Sequence, residues 1–258
     1  MIFQNFGFNT TNTKSVLLID WLLIGGGASG GTSDQGASTL VGGGGGAGRF
    51  VSSSQEIQKG SISITVGAGG AARTVRSQGD NGDDSEMTIA GTTYISYGGG
   101  GGGEGVFGTA GTRFGRPGGS GGGGASASSG SAFGGYTGGQ EIEGEPIVGF
   151  GNPGGETGVG TWPLSGYGGG AGTDRSGREW LDGVTYCIGG PGYSSGDAEG
   201  TTAGCGSSGS ITADSNAGKN GICIIRYAGT GSQATGGTIS YSNGYTYHTF
   251  NSNGTFTY

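Results

Sequence analysis

Gly25, Gly27 and Gly30 follow the apolar residues Leu22, Leu23 and Ile24 in the G-x-G-x-x-G spacing that cradles a dinucleotide pyrophosphate. That chemistry needs a helix whose N-terminus faces the phosphates, and an acidic side chain about 20 positions further on for a ribose hydroxyl. Neither follows. Residues 31–50 are mostly small, carry no 3.6-residue apolar period, and include the unbroken glycine run 42–46; each glycine costs a helix interior up to about 1 kcal/mol. Other reactive groups are sparse. His248 is the single histidine, and its place beside Thr and Tyr in a β-patterned stretch reads as structural. Cys187, Cys205 and Cys223 are equally spaced but form no C-x-x-C or Cys/His zinc pattern, and an odd number without a secretory leader suggests reduced thiols. The acidic run over 80–86 offers hard oxygens for Ca²⁺, yet it matches neither an EF-hand loop nor a glycine-aspartate nonapeptide and reads as a solvated turn. No strand-to-helix nucleophile elbow and no carboxylate pair of inferable proximity is present. We therefore expect no enzyme, no catalytic residue, no metal site and no cofactor.

The glycines must serve another purpose, and there are 71 of them in 258 residues, against an average usage near 7%. Collagen is excluded because runs such as 42–46 and 98–103 break any Gly-X-Y period and only 5 prolines are present. Leu, Ile, Val and Phe total 42 residues, below the roughly 20% at which disorder is suspected, but that rule also requires high charge. Here the net charge is -7 and charged residues are 11%, with the apolar residues gathered in short β-patterned segments. An ordered alternative is the extended polyglycine helix, which has three residues per turn and directs every N–H and C=O outward, so that several side by side satisfy one another. Residues 98–103 would span about 19 Å at about 3.1 Å per residue. Ordering glycine is entropically expensive, so such a lattice needs an apolar core to clamp it. The first 27 residues lack a basic n-region, and Asp20 interrupts their apolar run, so we expect neither a signal peptide nor a membrane span. The acidic balance argues against a nucleic-acid partner.

The elements that must position any binding surface are strands alternating with glycine tracts. Residues 16–24 read as a strand buried on both faces, 61–66 alternate strictly, 87–97 form a hairpin turning at Ala90-Gly91, and 222–227 are a further buried strand. Asn243-Gly244 and Asn253-Gly254 each separate β-rich stretches, the strongest hairpin cue, and predict a three-stranded C-terminal meander over 238–241, 245–250 and 255–258. Glycine tracts occupy 25–31, 42–48, 67–70, 98–105, 118–124 and 168–172. The intervening segments 73–86, 106–117, 140–164 and 173–193 carry most of the charge and several aromatics, the layout of recognition loops on a repetitive scaffold.

The stretches "WLLIGGGASGG", "VGGGGGAGRF", "ISITVGAGG", "YGGGGGGEG", "GYGGGAG", "NGICIIRY" and "HTFNSNGTF" resemble, in that order, the glycine-rich domain at the distal ends of bacteriophage tail fibres and of related phage adhesins. The resemblance covers about residues 16–258. It implies an all-β fold with essentially no α-helix: extended polyglycine-II helices in a glycine-rich sandwich, capped by a small β core and the C-terminal meander. The expected organisation is an attachment segment over 1–15, a glycine-rich domain with variable loops over 16–232, and the meander over 233–258 packed on it. The implied protein is a virion component of the tail or fibre, made in the host cytoplasm, whose loops bind a bacterial surface protein or polysaccharide and which contacts other tail or fibre proteins. Its oligomeric state stays open, a homotrimer being one form. No membrane insertion is implied. Trp162, Tyr167, Asp174, Arg178, Trp180, Tyr186 and Tyr193 are the expected receptor-contacting residues, because aromatic anchors beside hydrogen-bonding groups dominate recognition patches. The same rings could instead staple loops poor in other side chains. A structural virion component, such as a capsid decoration or fibre protein without receptor binding, is the alternative.

Overall fold

The computed structural model describes residues 15–33, 40–106, 111–126, 148–156, 165–192 and 198–258. The described chain is all-β, and its one helical element is a 3-10 turn at Gly111–Arg113. The larger sheet has the order β10-β11-β9-β1-β2-β6, comprising β1 (Val16–Ile24), β2 (Phe50–Gln58), β6 (Val148–Phe150), β9 (Ile222–Ala228), β10 (Thr238–Ser242) and β11 (Tyr245–Phe250). The smaller sheet, β12-β3-β4-β5, comprises β3 (Ser61–Thr65), β4 (Ser85–Ile89), β5 (Thr92–Ser96) and β12 (Gly254–Thr257). A short hairpin pairs β7 (Arg178–Glu179) with β8 (Thr185–Tyr186). Every named strand pair is antiparallel.

The two sheets pack face to face through alternate residues, as period-2 patterning requires. Leu17, Ile19, Trp21 and Leu23 of β1, with Ile225 and Tyr227 of β9, meet Ile62, Ile64, Met87 and Phe256 of the smaller sheet. His248 is fully buried in this interface. Its Nδ1–H donates to the Gly236 carbonyl at 2.7 Å, leaving Nε2 to accept from the Tyr227 hydroxyl at 3.2 Å, and Phe256 stands edge-on to the ring. Burial lowers its pKa and keeps it neutral. Both expected tight hairpins form: Ala90 and Gly91, and Asn243 and Gly244, all have positive φ, as a type I′ turn demands. β1 is buried on both faces only in its second half; Val16 and Leu18 are exposed. β12 departs from the expected meander. After Asn253-Gly254 it crosses to the smaller sheet and pairs with β3, where Phe256 fills the core. β2 was not foreseen, because its serines and charges make no apolar pattern; it is held by pairing with β1 along nine residues.

Beyond the strand ends, on the side where β1 ends and β2 begins, the glycine segments bond to one another with a three-residue period. Gly25, Ala28 and Gly31 donate to the Arg49, Gly46 and Gly43 carbonyls; Gly26, Ser29 and Thr32 donate to those of Asp83, Asp80 and Ser77. Gly43, Gly46 and Arg49 donate to Gly103, Gly100 and Tyr97, Gly44 and Ala47 to Gly166 and Gly169, and Gly42, Gly45 and Gly48 to Ser210, Ser207 and Gly204. Consecutive residues thus address different neighbours and every third returns to the same one, which is the period of an extended three-residue-per-turn helix. Residues 25–33 are bonded on all sides, to 42–49, 66–70, 77–84, 97–105, 204–210 and 215–221. A Cβ on Gly45 would lie far inside contact with the Ala28 carbonyl oxygen, and one on Gly43 with that of Gly123.

The acidic run is corrected by the same network. Residues 77–84 are a lattice member rather than a turn, although Asn81, Asp83 and Asp84 remain exposed as expected: the Asp80 and Asp83 carbonyls accept from Ser29 and Gly26, and the Asp84 and Asn81 side chains accept from the Gly98 and Gly101 amides. Substituting alanine at Gly45 forces a backbone shift in the lattice and is expected to cost about 3 kcal/mol or more, whereas Gly60→Ala, with open space around the new methyl, stays within about 0.5 kcal/mol of the parent; denaturant unfolding of both variants measures the contrast.

Candidate functional site

Among the described residues, two regions carry side chains that the lattice does not use. The first is the segment 173–186 on the outer face of the larger sheet. Its β7–β8 hairpin turns at Gly183, with φ 78°, and is tied by Gly183 N–H to the Trp180 carbonyl and Trp180 N–H to that of Val184. Asp182 accepts from the Val184 amide at 3.0 Å and from the Tyr186 hydroxyl at 2.8 Å; burial first, and then this carboxylate, raise the Tyr186 pKa.

Trp180 and Tyr186 point into the sheet. They are 7% and 6% exposed and pack with Leu22, Ile24, Phe50, Ile224 and Tyr247 in a second apolar cluster. Arg226 fastens this arrangement. Its Nε donates to Asp20 at 2.9 Å and its Nη1 to the Leu181 carbonyl at 3.0 Å and the Tyr247 hydroxyl at 3.3 Å, while the guanidinium sits 4.2 Å from the centre of the Tyr245 ring. Burial alone would lower the Arg226 pKa, but the bonds to Tyr247 and Asp20 outweigh it and hold the pKa above its ordinary value. Arg178 is exposed, with its guanidinium 3.4 Å from the Phe150 ring centre. Together Arg178, Glu179, Leu181 and Asp182 face Ser52–54 and Asn243 across a groove of about 670 Å³.

The structure does not gather the expected contact residues into one patch. Arg178, Trp180 and Tyr186 share the sandwich flank, and Asp174 is an exposed positive-φ residue at the turn that precedes them. Tyr167 lies in the lattice toward its far end, half-buried, with its ring against Gly155. Trp162 and Tyr193 lie outside the described residues.

The second region is the far end of the lattice, about eight residues and so about 25 Å from the strand ends. Arg73, Arg76, Arg113 and Arg116 lie there, four of the 11 basic residues. Arg73 pairs with Asp80 and Arg76 with Glu104, Gln78 donates to the Phe114 carbonyl, and Arg113 lies over the Phe114 ring. Val75 is 63% exposed beside them. This region was not among the expected contacts; the signal for it was the concentration of charge in the connections 73–86 and 106–117.

A family model described as a glycine-rich domain matches residues 5–238. The chain belongs to the glycine-rich domain family. The family match spans both sheets' β1–β9 and the whole described lattice, and it ends at Thr238, the first residue of β10. No curated protein matches the chain. Among the described residues of this glycine-rich domain there is no group of three metal-ligating side chains, and no helix is long and apolar enough to cross a membrane.

Arg226→Ala leaves Asp20 with the Ser54 hydroxyl but without its cation, takes the side-chain donor from the Leu181 carbonyl and removes the guanidinium from over Tyr245. The variant is expected to lose about 2–4 kcal/mol and to be cut faster by trypsin at Arg175 and Arg178, measured by denaturant unfolding and limited proteolysis; Arg226→Lys recovers only part of either, since an ammonium concentrates its donors at one point and lacks the planar fork that reaches Asp20 and Leu181 while stacking on Tyr245.

Proposed function

We propose that this glycine-rich domain is a host-recognition module of a bacteriophage tail fibre or tail, which binds a bacterial surface protein or polysaccharide through the connections at the far end of its lattice. One observation carries the reading: the lattice is held mainly by backbone groups, with a few side chains of its own members such as Asn81 and Asp84 completing it, so the connections that join its members can change sequence without disturbing the packing that fixes their ends. A scaffold of this kind suits a surface under pressure to vary. Thr74, Val75 and Arg76, exposed between lattice members, and Arg113 and Phe114 across from them, are the described residues best placed to meet a receptor. Trp180 and Tyr186, buried by the flank, act in this reading as the staple of the 173–186 segment, and Arg178 and Asp174 as secondary contacts. The resemblance to fibre-tip adhesins supports the same reading. The domain would act without enzymatic turnover and without a cofactor.

Purified protein added to host cells before the parent phage should compete for adsorption. Val75→Asp should weaken competition at least tenfold while leaving the melting temperature within about 2 °C, because the side chain makes no core contact. Absence of competition by the unaltered protein, with gold-labelled antibody binding over the capsid of intact particles, would contradict recognition and favour a decoration protein.

A further inference from the structure

Cys187 and Cys205 sit on adjacent lattice segments. Cys187 N–H donates to the Ala203 carbonyl at 3.3 Å and Gly206 N–H to that of Ile188 at 3.0 Å, which sets 187–188 alongside 203–206. The two sulfurs fill the space between them: Cys205 Sγ accepts from the Ile188 amide at 3.3 Å, and Cys187 Sγ lies 3.0 Å from the position a Cβ would take on Gly204. A Cβ on Gly200 would collide with Cys205 Sγ, so a glycine there makes room for the sulfur. Both thiols are fully buried. Cys187 also has φ 59°, a conformation that costs an ordinary side chain about 1 kcal/mol or more and that glycine adopts freely. In a chain with 71 glycines, a thiol has been kept where glycine is the easy choice. Cys223 is elsewhere, inside the sandwich, with its Sγ 3.8 Å from Met87 Sδ.

We infer that Cys187 and Cys205 are a redox pair that closes into a disulfide across neighbouring lattice segments when the protein meets a small-molecule disulfide oxidant. Each sulfur reaches the other's stretch of chain, Cys205 Sγ meeting the amide next to Cys187 and Cys187 Sγ lying against Gly204 next to Cys205, the mutual approach that a disulfide requires. In the reaction one cysteine, as thiolate, attacks a sulfur of the oxidant and expels one small thiolate; the other thiolate then attacks the mixed disulfide, forms Sγ187–Sγ205 and expels the second. Two protein thiols are oxidised, two protons leave, and the oxidant is reduced to two small thiols. Burial, with Cys205 beside it, raises the Cys187 pKa well above its ordinary value, so the exchange is slow in the closed fold and proceeds as the segment opens. Once formed, the bond is sealed from reductant and closes the loop 187–205. The inference stands independently of the host-recognition proposal.

The test uses the full chain, purified reduced and then refolded from denaturant with either dithiothreitol or oxidised glutathione. After acid quenching, denaturation and alkylation, mass spectrometry counts reactive thiols. The expected result is three alkylated cysteines in the reduced sample, and one, Cys223, in the oxidised sample, with a Cys187–Cys205 linked peptide and a melting temperature roughly 5–10 °C higher. The Cys223→Ser variant should give the same link, and Cys187→Ala should abolish it. Three alkylated cysteines after oxidative refolding, a link through Cys223, or stable glutathione adducts in place of the link would each overturn the inference.

Discussion

The spacing between backbones in the glycine lattice is the constraint on which everything else depends. Where 25–33 and 42–49 run side by side, and each against further segments, amide donors and carbonyl acceptors lie 2.8–3.0 Å apart for residues 26–29 and 42–49, and the room for a Cβ is taken by a neighbouring carbonyl oxygen. Glycine is required here for closeness of approach rather than for a positive φ. Its energetics are finely balanced. Fixing a residue's backbone costs roughly 1–2 kcal/mol, and a net hydrogen bond returns about 0.5–1.5 kcal/mol, so the lattice is near break-even by itself and relies on close packing and on being held at one end.

The β-sandwich supplies that hold. The segments at 25–33, 66–70 and 97–105 leave the ends of β1, β3 and β5, while 42–49, 77–84 and 215–221 return to the starts of β2, β4 and β9. Serines make the junction between the two hydrogen-bonding patterns. Ser85 Oγ donates to the Ile24 carbonyl and accepts from Gly67, and Ser96 Oγ donates to the Arg49 carbonyl and accepts from Gly25. Fully buried Ile19, Trp21, Met87 and Phe256 contribute about 1.5–3 kcal/mol each in the sandwich and set the spacing from which the glycine segments start. The flank hairpin adds a second, smaller apolar cluster, fastened through Arg226, beside the lattice end nearest the strands.

Much of this was legible in the sequence, where a residue's type answers to local demands. The alternation in 61–66, the Ala90-Gly91 and Asn243-Gly244 turns, and the long glycine runs each carry their own signal. What escaped depended on partners distant in the chain. β2 is polar along much of its length and is a strand because β1 lies beside it. β12 follows a hairpin signal but is drawn across by the pocket that Phe256 fills. The acidic run joined the lattice because its backbone, not its carboxylates, meets Ser29 and Gly26. Trp180 was expected at a surface from the charges beside it, and is buried because Leu22 and Ile224, two hydrophobic residues from separate strands, present an apolar face for it.

Native-state hydrogen exchange resolved to single amides distinguishes an ordered glycine lattice as firm as the sheets from loose connections between strands. Gly43–Gly48 and Gly99–Gly103, which carry no strand or helix pairing, should exchange as slowly as Trp21 and Ile225 in the centre of the larger sheet and open in the same cooperative unit. Exchange of those glycine amides at the rate of an unstructured loop, while the sheet remains protected, would contradict an ordered lattice.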